Sequence, residues 1–154
     1  MKIAISADHR GTDASKGVAD KLRKEGHEVL VLGDLSGKPS DYPDLAYLVG
    51  KAVEDGRAQR GLLICGSGIG MSIAANKMPG VRAALVHDEL TAEVSRSHND
   101  ANVLCLSADL LGQRLIEKIV EIWLATPFEG GRHMRRVHKI DAIEKGKDPA
   151  MVKE

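Results

Sequence analysis

The chain has 154 residues, enough for one domain with a single core, and 43% are hydrophobic with only 3% aromatic, so aliphatic side chains must fill the interior. Twenty-two basic residues balance 22 acidic ones, which excludes a global field for nucleic acid or an anionic membrane and leaves any charged ligand to be caught locally. No stretch approaches the roughly 18 apolar residues of a membrane span, the chain opens on a strand instead of a signal-peptide core, and two cysteines in apolar strands suit reduced thiols; the expected setting is the cytoplasm.

In chain order, Lys2 to Ala7 predicts a strand, with Asp8-His9-Arg10-Gly11 as the loop at its carboxyl end, where open α/β sheets place ligands. Thr12 to Glu25 reads as a helix stopped by Gly26, and Glu28 to Leu32 as the second strand. Glycine, serine and proline punctuate a loop from Gly33 to Pro43 that carries Asp41-Tyr42-Pro43, ahead of a helix over Leu45 to Glu54. The unbroken apolar run Leu62 to Cys65 reads as a buried third strand, and Gly66-Ser67-Gly68-Ile69-Gly70 turns tightly into a third helix from Met71 to Lys77. Pro79-Gly80 ends that helix. Val81 to Val86 follows as a strand, Asp88 to Ser97 as a helix closed by His98-Asn99-Asp100, and Val103 to Leu106 as the fifth strand. Leu111, Leu115, Ile116, Ile119, Val120 and Trp123 share one face of a helix over Leu110 to Thr126. An amphipathic stretch then runs to about Lys145 and a polar tail, 146–154, is expected to be loose.

Five alternations of strand and helix imply a single-domain α/β fold over 1–145, a Rossmann/flavodoxin-like three-layer sandwich with a five-stranded parallel sheet and a C-terminal helix. The loops after the strands open on one edge of such a sheet. That edge is expected to bring Asp8, His9, Cys65, Ser67 and His98 within reach of one another.

A glycine loop between strand and helix aims several backbone N–H groups and the positive end of a helix dipole at one small volume, which suits an anion or a developing negative charge. Cys65 sits at its mouth, a position that makes thiols more acidic. The spacing excludes most of the common phosphate loops: Met71 stands where a dinucleotide fingerprint has its third glycine and where a cysteine phosphatase loop needs arginine, and no Lys-Ser or Lys-Thr pair follows. Asp88 keeps the dinucleotide reading open. Arg132 and Arg136, four apart, put two guanidinium forks on one helical face, suited to a phosphate or else merely solvated. His98 could equally cap the fourth helix, Asn99 and Asp100 serve as turn residues, and Tyr42 be a core aromatic with its hydroxyl at the rim. Cys105, in mid-strand, reads as an inert thiol. His27, His87, His133 and His138 lack paired ligand spacing, so neither a metal nor another cofactor is expected.

Five segments occur together in order: Asp8-His9-Arg10-Gly11; Asp41-Tyr42-Pro43; Ile64 to Gly70 with Ala74-Ala75-Asn76-Lys77; Ser97 to Val103; and Gly130-Gly131-Arg132-His133 with Arg136. From Lys2 to about Ile143 the chain thereby resembles the type B ribose-5-phosphate isomerases and the related galactose-6-phosphate and allose-6-phosphate isomerases. The resemblance implies a metal-independent aldose–ketose interconversion of ribose 5-phosphate and ribulose 5-phosphate through a cis-enediolate, as in the pentose phosphate pathway. It gives Cys65 the role of the base between C1 and C2, Ser67 that of a hydroxyl proton shuttle, and His98, helped by Asp41 or Tyr42, that of the ring-opening acid/base. Amides of Gly66, Gly68, Ile69 and Gly70 would hold the enediolate oxygens, His9, Arg132 and Arg136 the phosphate, and Asp8 and Asn99 the sugar hydroxyls. A homodimer or homotetramer with the site shared across the dimer is implied as well. Where pentose enzymes of this family often have an arginine before the last long helix, this chain has Asp109, so a phosphate held by fewer cations, or a substrate of different length lying differently in the cleft, is expected. His98-Asn99 favours the pentose type. An isomerase of allose 6-phosphate or a tetrose phosphate, a non-catalytic sugar-phosphate sensor, and a cysteine-dependent acyl or phosphoryl transferase are the alternatives.

Overall fold

Unbroken apolar runs need cover on both faces, and in the computed structural model, which describes residues 1–153, Ile3–Ala7, Leu62–Cys65 and Val103–Leu106 are the buried centre of one sheet. Its strands are β1 (Lys2–Ala7), β2 (Glu28–Val31), β3 (Arg60–Cys65), β4 (Ala83–Leu85) and β5 (Val103–Ser107). The helices are α1 (Thr12–Lys24), α2 (Tyr42–Glu54), α3 (Ile69–Ala75), α4 (Glu89–Ser97), α5 (Gln113–Ala125) and α6 (Arg132–Glu144). All four strand pairings are parallel, in the order β2-β1-β3-β5-β4. The expected three layers are present: α1, α4 and α5 cover one face with Val18, Leu22, Ile116, Ile119 and Trp123, while α2 and α3 cover the other with Leu45, Val49 and Met71.

From β1 the chain winds outward to β2 and then crosses to β3 on the other side, so β1 and β3 are neighbours whose carboxyl ends diverge into different layers. That is the switch point at which such sheets open a crevice. Gly11 keeps it tight. A methyl group there would lie 2.4 Å from the Ile64 carbonyl oxygen, so only glycine lets the first turn of α1 rest on β3.

Several boundaries differ from the sequence reading. Helix α2 begins at Tyr42 instead of Leu45, because Pro43 occupies its first turn, where a missing N–H costs nothing. Asp41-Tyr42-Pro43 is therefore a helix start and not a loop. Helix α5 begins at Gln113, after a turn through Ala108–Leu110, and β4 is only three residues long. The outer edge of β4 is closed by a side chain: Asn76 Nδ2 donates to the Ala83 carbonyl and Asn76 Oδ1 accepts from the Ala83 N–H, both at 2.9 Å. The stretch beyond α6 carries a short 3-10 turn, Pro149–Met151, in which Asp148 accepts from the Ala150 N–H. No helix among the described residues is long and apolar enough to cross a membrane.

Candidate active site

Cys65 ends β3, and its sulfur accepts a hydrogen bond from the Gly68 N–H at 3.1 Å. The turn that makes this possible has Gly68 at φ +75°, a left-handed conformation, with no room for a methyl beside the Leu106 backbone. Cys65 is only 4% exposed, so the loop and not bulk water surrounds its sulfur. Ser67 stands exposed two residues on, and its Oγ accepts from the Ile69 N–H at 3.2 Å. The Gly68 and Ile69 amides are thus already engaged, a difference from the expectation that both face a substrate; Gly66 and Gly70 remain as backbone candidates. Tyr42 covers Gly70: a methyl there would meet the ring at 2.5 Å, and the tyrosine is 42% exposed at the rim of the loop. Asp41 caps α2 by position only, with no side-chain hydrogen bond.

The loop after β1 lies against the same strand, since the Asp8 N–H donates to the Ile64 carbonyl at 3.2 Å. Asp8 is buried. Its Oδ1 accepts from the N–H groups of Arg10 at 2.9 Å and Gly11 at 3.2 Å, which fixes the turn that presents His9 to solvent. The loop after β5 closes the third side: Ala108 and Asp109 N–H groups donate to the carbonyls of Cys65 and Gly66, and Ser107 Oγ donates to Gly66 O at 2.6 Å. Asp109 does not merely subtract a cation. Its carboxylate pairs with Arg10, whose Nε lies 3.1 and 2.8 Å from the two oxygens and whose Nη2 lies 2.8 Å from Oδ1.

His98 is not on this edge. It follows α4, not β4, and α4 has carried the chain back to the amino ends of the strands, where Asn102 bonds to Gly61 and Arg82 at the starts of β3 and β4. The five steps of β3 at about 3.3 Å each separate the two edges by roughly 16 Å, so within one chain His98 does not join Asp8, His9, Cys65 and Ser67. It joins α6 instead. The His98 and His133 rings stack with centroids 4.1 Å apart and planes within 5°. Arg132 Nε donates to His133 Nε2 at 3.4 Å, and Glu129 Oε2 lies 3.7 Å from the same nitrogen. Burial, then the neighbouring His98 and Arg132, hold His133 below the ordinary histidine value.

The turn bearing His98 and Asn99 is fixed by Asp100, a turn residue as expected, together with two arginines that the sequence reading does not single out. Asp100 adopts φ +46° and takes Arg96 Nη1 at 2.7 Å and Arg82 Nη2 at 2.8 Å, while Arg96 lies 5.8 Å over the Trp123 ring. The Arg96–Asp100 spacing of four residues was the available signal. Asn99 lines a cavity of about 650 Å³ with Arg82, Asn76, Ile140 and Glu144. Arg132 and Arg136 are both exposed, one turn apart on α6.

Donor atoms of His98, Glu129 and His133 lie within 4.8 Å of one another, a cluster that sequence spacing did not reveal. Parallel stacked rings aim their lone pairs side by side instead of at one point, and Arg132 adds a positive charge, so the cluster is poorly arranged to hold one cation. Burial drives the Cys105 thiol far up from its ordinary value, as expected of an inert core cysteine.

Comparison with known proteins gives a consistent result. Residues 3–140 match the family model described as Ribose/Galactose Isomerase. Ribose-5-phosphate isomerase B of Escherichia coli is 43% identical over 93% of this chain and 96% of its own. The structure of Clostridium thermocellum ribose-5-phosphate isomerase B superposes with a TM-score of 0.93 at 47% identity, over 95% of this chain and 99% of that one. That of the Mycoplasma genitalium ribose-5-phosphate isomerase B with bound ribulose 5-phosphate superposes at 0.87 with 43% identity, over 94% and 96%.

Proposed function

We infer that this chain, which belongs to the ribose/galactose isomerase family, interconverts ribose 5-phosphate and ribulose 5-phosphate. The observation that carries the reading is a cysteine sulfur held at a glycine loop, at the switch point of a parallel sheet, with an exposed hydroxyl two residues on.

The chemistry follows from those groups. The Cys65 thiolate takes the proton from C2 of the open-chain aldose; the C–H electron pair becomes the C1=C2 bond, and the carbonyl electrons move onto O1. Returning the proton from sulfur to C1 completes the ketose, while Ser67 passes a proton between O2 and O1. Donors fixed in place before the reaction stabilise the enediolate without reorganising, typically by about 3 to 4 kcal/mol each, and the Gly66 and Gly70 amides supply them. Ring opening needs an acid for the ring oxygen and a base for the C1 hydroxyl. His98 performs it, with Tyr42 or Asp41 at the loop rim. His9, Arg132 and Arg136 hold the phosphate, and Asp8 and Asn99 the hydroxyls.

Because Cys65 and His98 lie at opposite edges of one sheet, a complete site requires two copies, the carboxyl edge of one facing the amino edge of the other. The enzyme is accordingly a homodimer, or a tetramer of such pairs, working in the cytoplasm.

Purified protein in chelator should convert ribose 5-phosphate and exchange the C2 hydrogen with solvent. Cys65→Ala should lose both, by about 10² to 10⁴-fold or more, the usual range for a general base. A protein that binds the sugar phosphate without exchange is a sensor; one that forms a covalent adduct on Cys65 is a transferase. A panel of four-, five- and six-carbon aldose phosphates identifies the preferred substrate by kcat/KM.

A further inference from the structure

The Arg10–Asp109 pair has no evident part in holding the fold. The two side chains are 57% and 40% exposed, and ion pairs in that setting contribute little to stability. Yet both are anchored with care. The Arg10 N–H donates to Asp8 Oδ1 at 2.9 Å, and the Asp109 N–H donates to the Gly66 carbonyl at 3.1 Å, so the pair bridges the loops that carry Asp8 and Cys65.

It also lies directly on the glycine loop. A methyl at Gly66 would be 2.8 Å from Asp109 Oδ2 and 3.0 Å from Arg10 Cδ and Nε, so the guanidinium rests against the backbone beside the cysteine. Asp109 takes the Nε and Nη2 positions of the fork. No hydrogen bond among the described residues uses Nη1, and the exposed His9 is the adjacent residue. A planar cation fixed along one edge and open on the other is preorganised for a tetrahedral oxyanion, which an ammonium on a flexible stem is not.

We propose that Arg10 is a further substrate-binding residue, taking the phosphate group of the sugar phosphate through its free Nη1 edge, and that Asp109 is the positioning residue that holds the guanidinium over the glycine loop. The proposal rests on the isomerase reading and adds to it a cation drawn from the first loop.

Steady-state kinetics on ribose 5-phosphate, with inorganic phosphate as the competing probe, tests it. Arg10→Ala should raise KM and the inhibition constant for phosphate together, each about tenfold, with a smaller effect on kcat. Arg10→Lys should restore only part of this. Asp109→Asn, which keeps the shape but loses the charge that orients the fork, should raise KM by less than Arg10→Ala, and the double variant should be no worse than Arg10→Ala alone. A lower KM in Asp109→Asn would mean that the carboxylate withholds Arg10 from the anion, and unchanged constants in Arg10→Ala would mean that Arg10 does not meet it; either overturns the proposal. If the native protein turns over no sugar phosphate, the isomerase reading fails, and calorimetric binding of inorganic phosphate to native and Arg10→Ala protein still decides whether Arg10 receives the anion.

Discussion

Two cysteines show how position alone divides chemistry. Cys65 and Cys105 pack in the same apolar cluster, on adjacent strands, yet one ends its strand at a glycine turn and the other lies in mid-strand with no exposure. Cys105→Ser places a hydroxyl where nothing answers it, and should destabilise the fold by about 1 to 3 kcal/mol, read from denaturant melts of the single tryptophan, Trp123. Activity of the folded fraction should be kept. His133 gives a pH dependence of known sign. Its folded value lies below the ordinary 6.5, so the unfolded chain binds this proton first as the pH falls. The contribution to stability is complete above about pH 6.5 and is lost as the pH drops toward the folded value. Melting temperatures should therefore fall on acidification, and fall less in His133→Gln, where no proton is taken up.

Among the elements, the first loop and the third strand set the crevice. Gly11→Ala forces a methyl into the Ile64 carbonyl and should cost about 1 to 3 kcal/mol, the usual range for overpacking; an unchanged unfolding midpoint would show that α1 can move off β3 freely. The order of strands and helices is legible in the sequence because turn residues or charged loops punctuate the apolar runs, as at Gly26, Gly33, Pro79-Gly80 and Asp8-His9-Arg10-Gly11. The start of α2 is not, because Pro43 reads as a breaker in sequence and serves as a first-turn residue in space. The glycine loop and its cysteine are legible as well. The edge on which His98 lies is not legible locally, because the motif follows the fourth strand in sequence while the helix it terminates carries it to the opposite edge of the sheet. Arg10 and Asp109, 99 positions apart, meet only through the register of β1, β3 and β5, and nothing local to either residue announces the pairing.

For the molecule as a whole, the division of candidate residues between opposite sheet edges leads to a subunit-mixing experiment. Cys65→Ala and His98→Ala proteins should each be nearly inactive. Unfolded together and refolded, they should regain on the order of a quarter of native activity, the share expected for random pairing in a two-fold dimer with sites composed across its axis. No regain would place both residues in one chain's site and contradict the shared arrangement. Asn76 guards one border of the sheet, that of β4. By answering both main-chain groups of Ala83, its side chain imitates the next strand in the row, so this border offers a poorer template for recruiting a foreign strand. A substitution such as Asn76→Leu should leave those two main-chain groups unanswered and make the purified protein more prone to aggregate, as read by light scattering on heating.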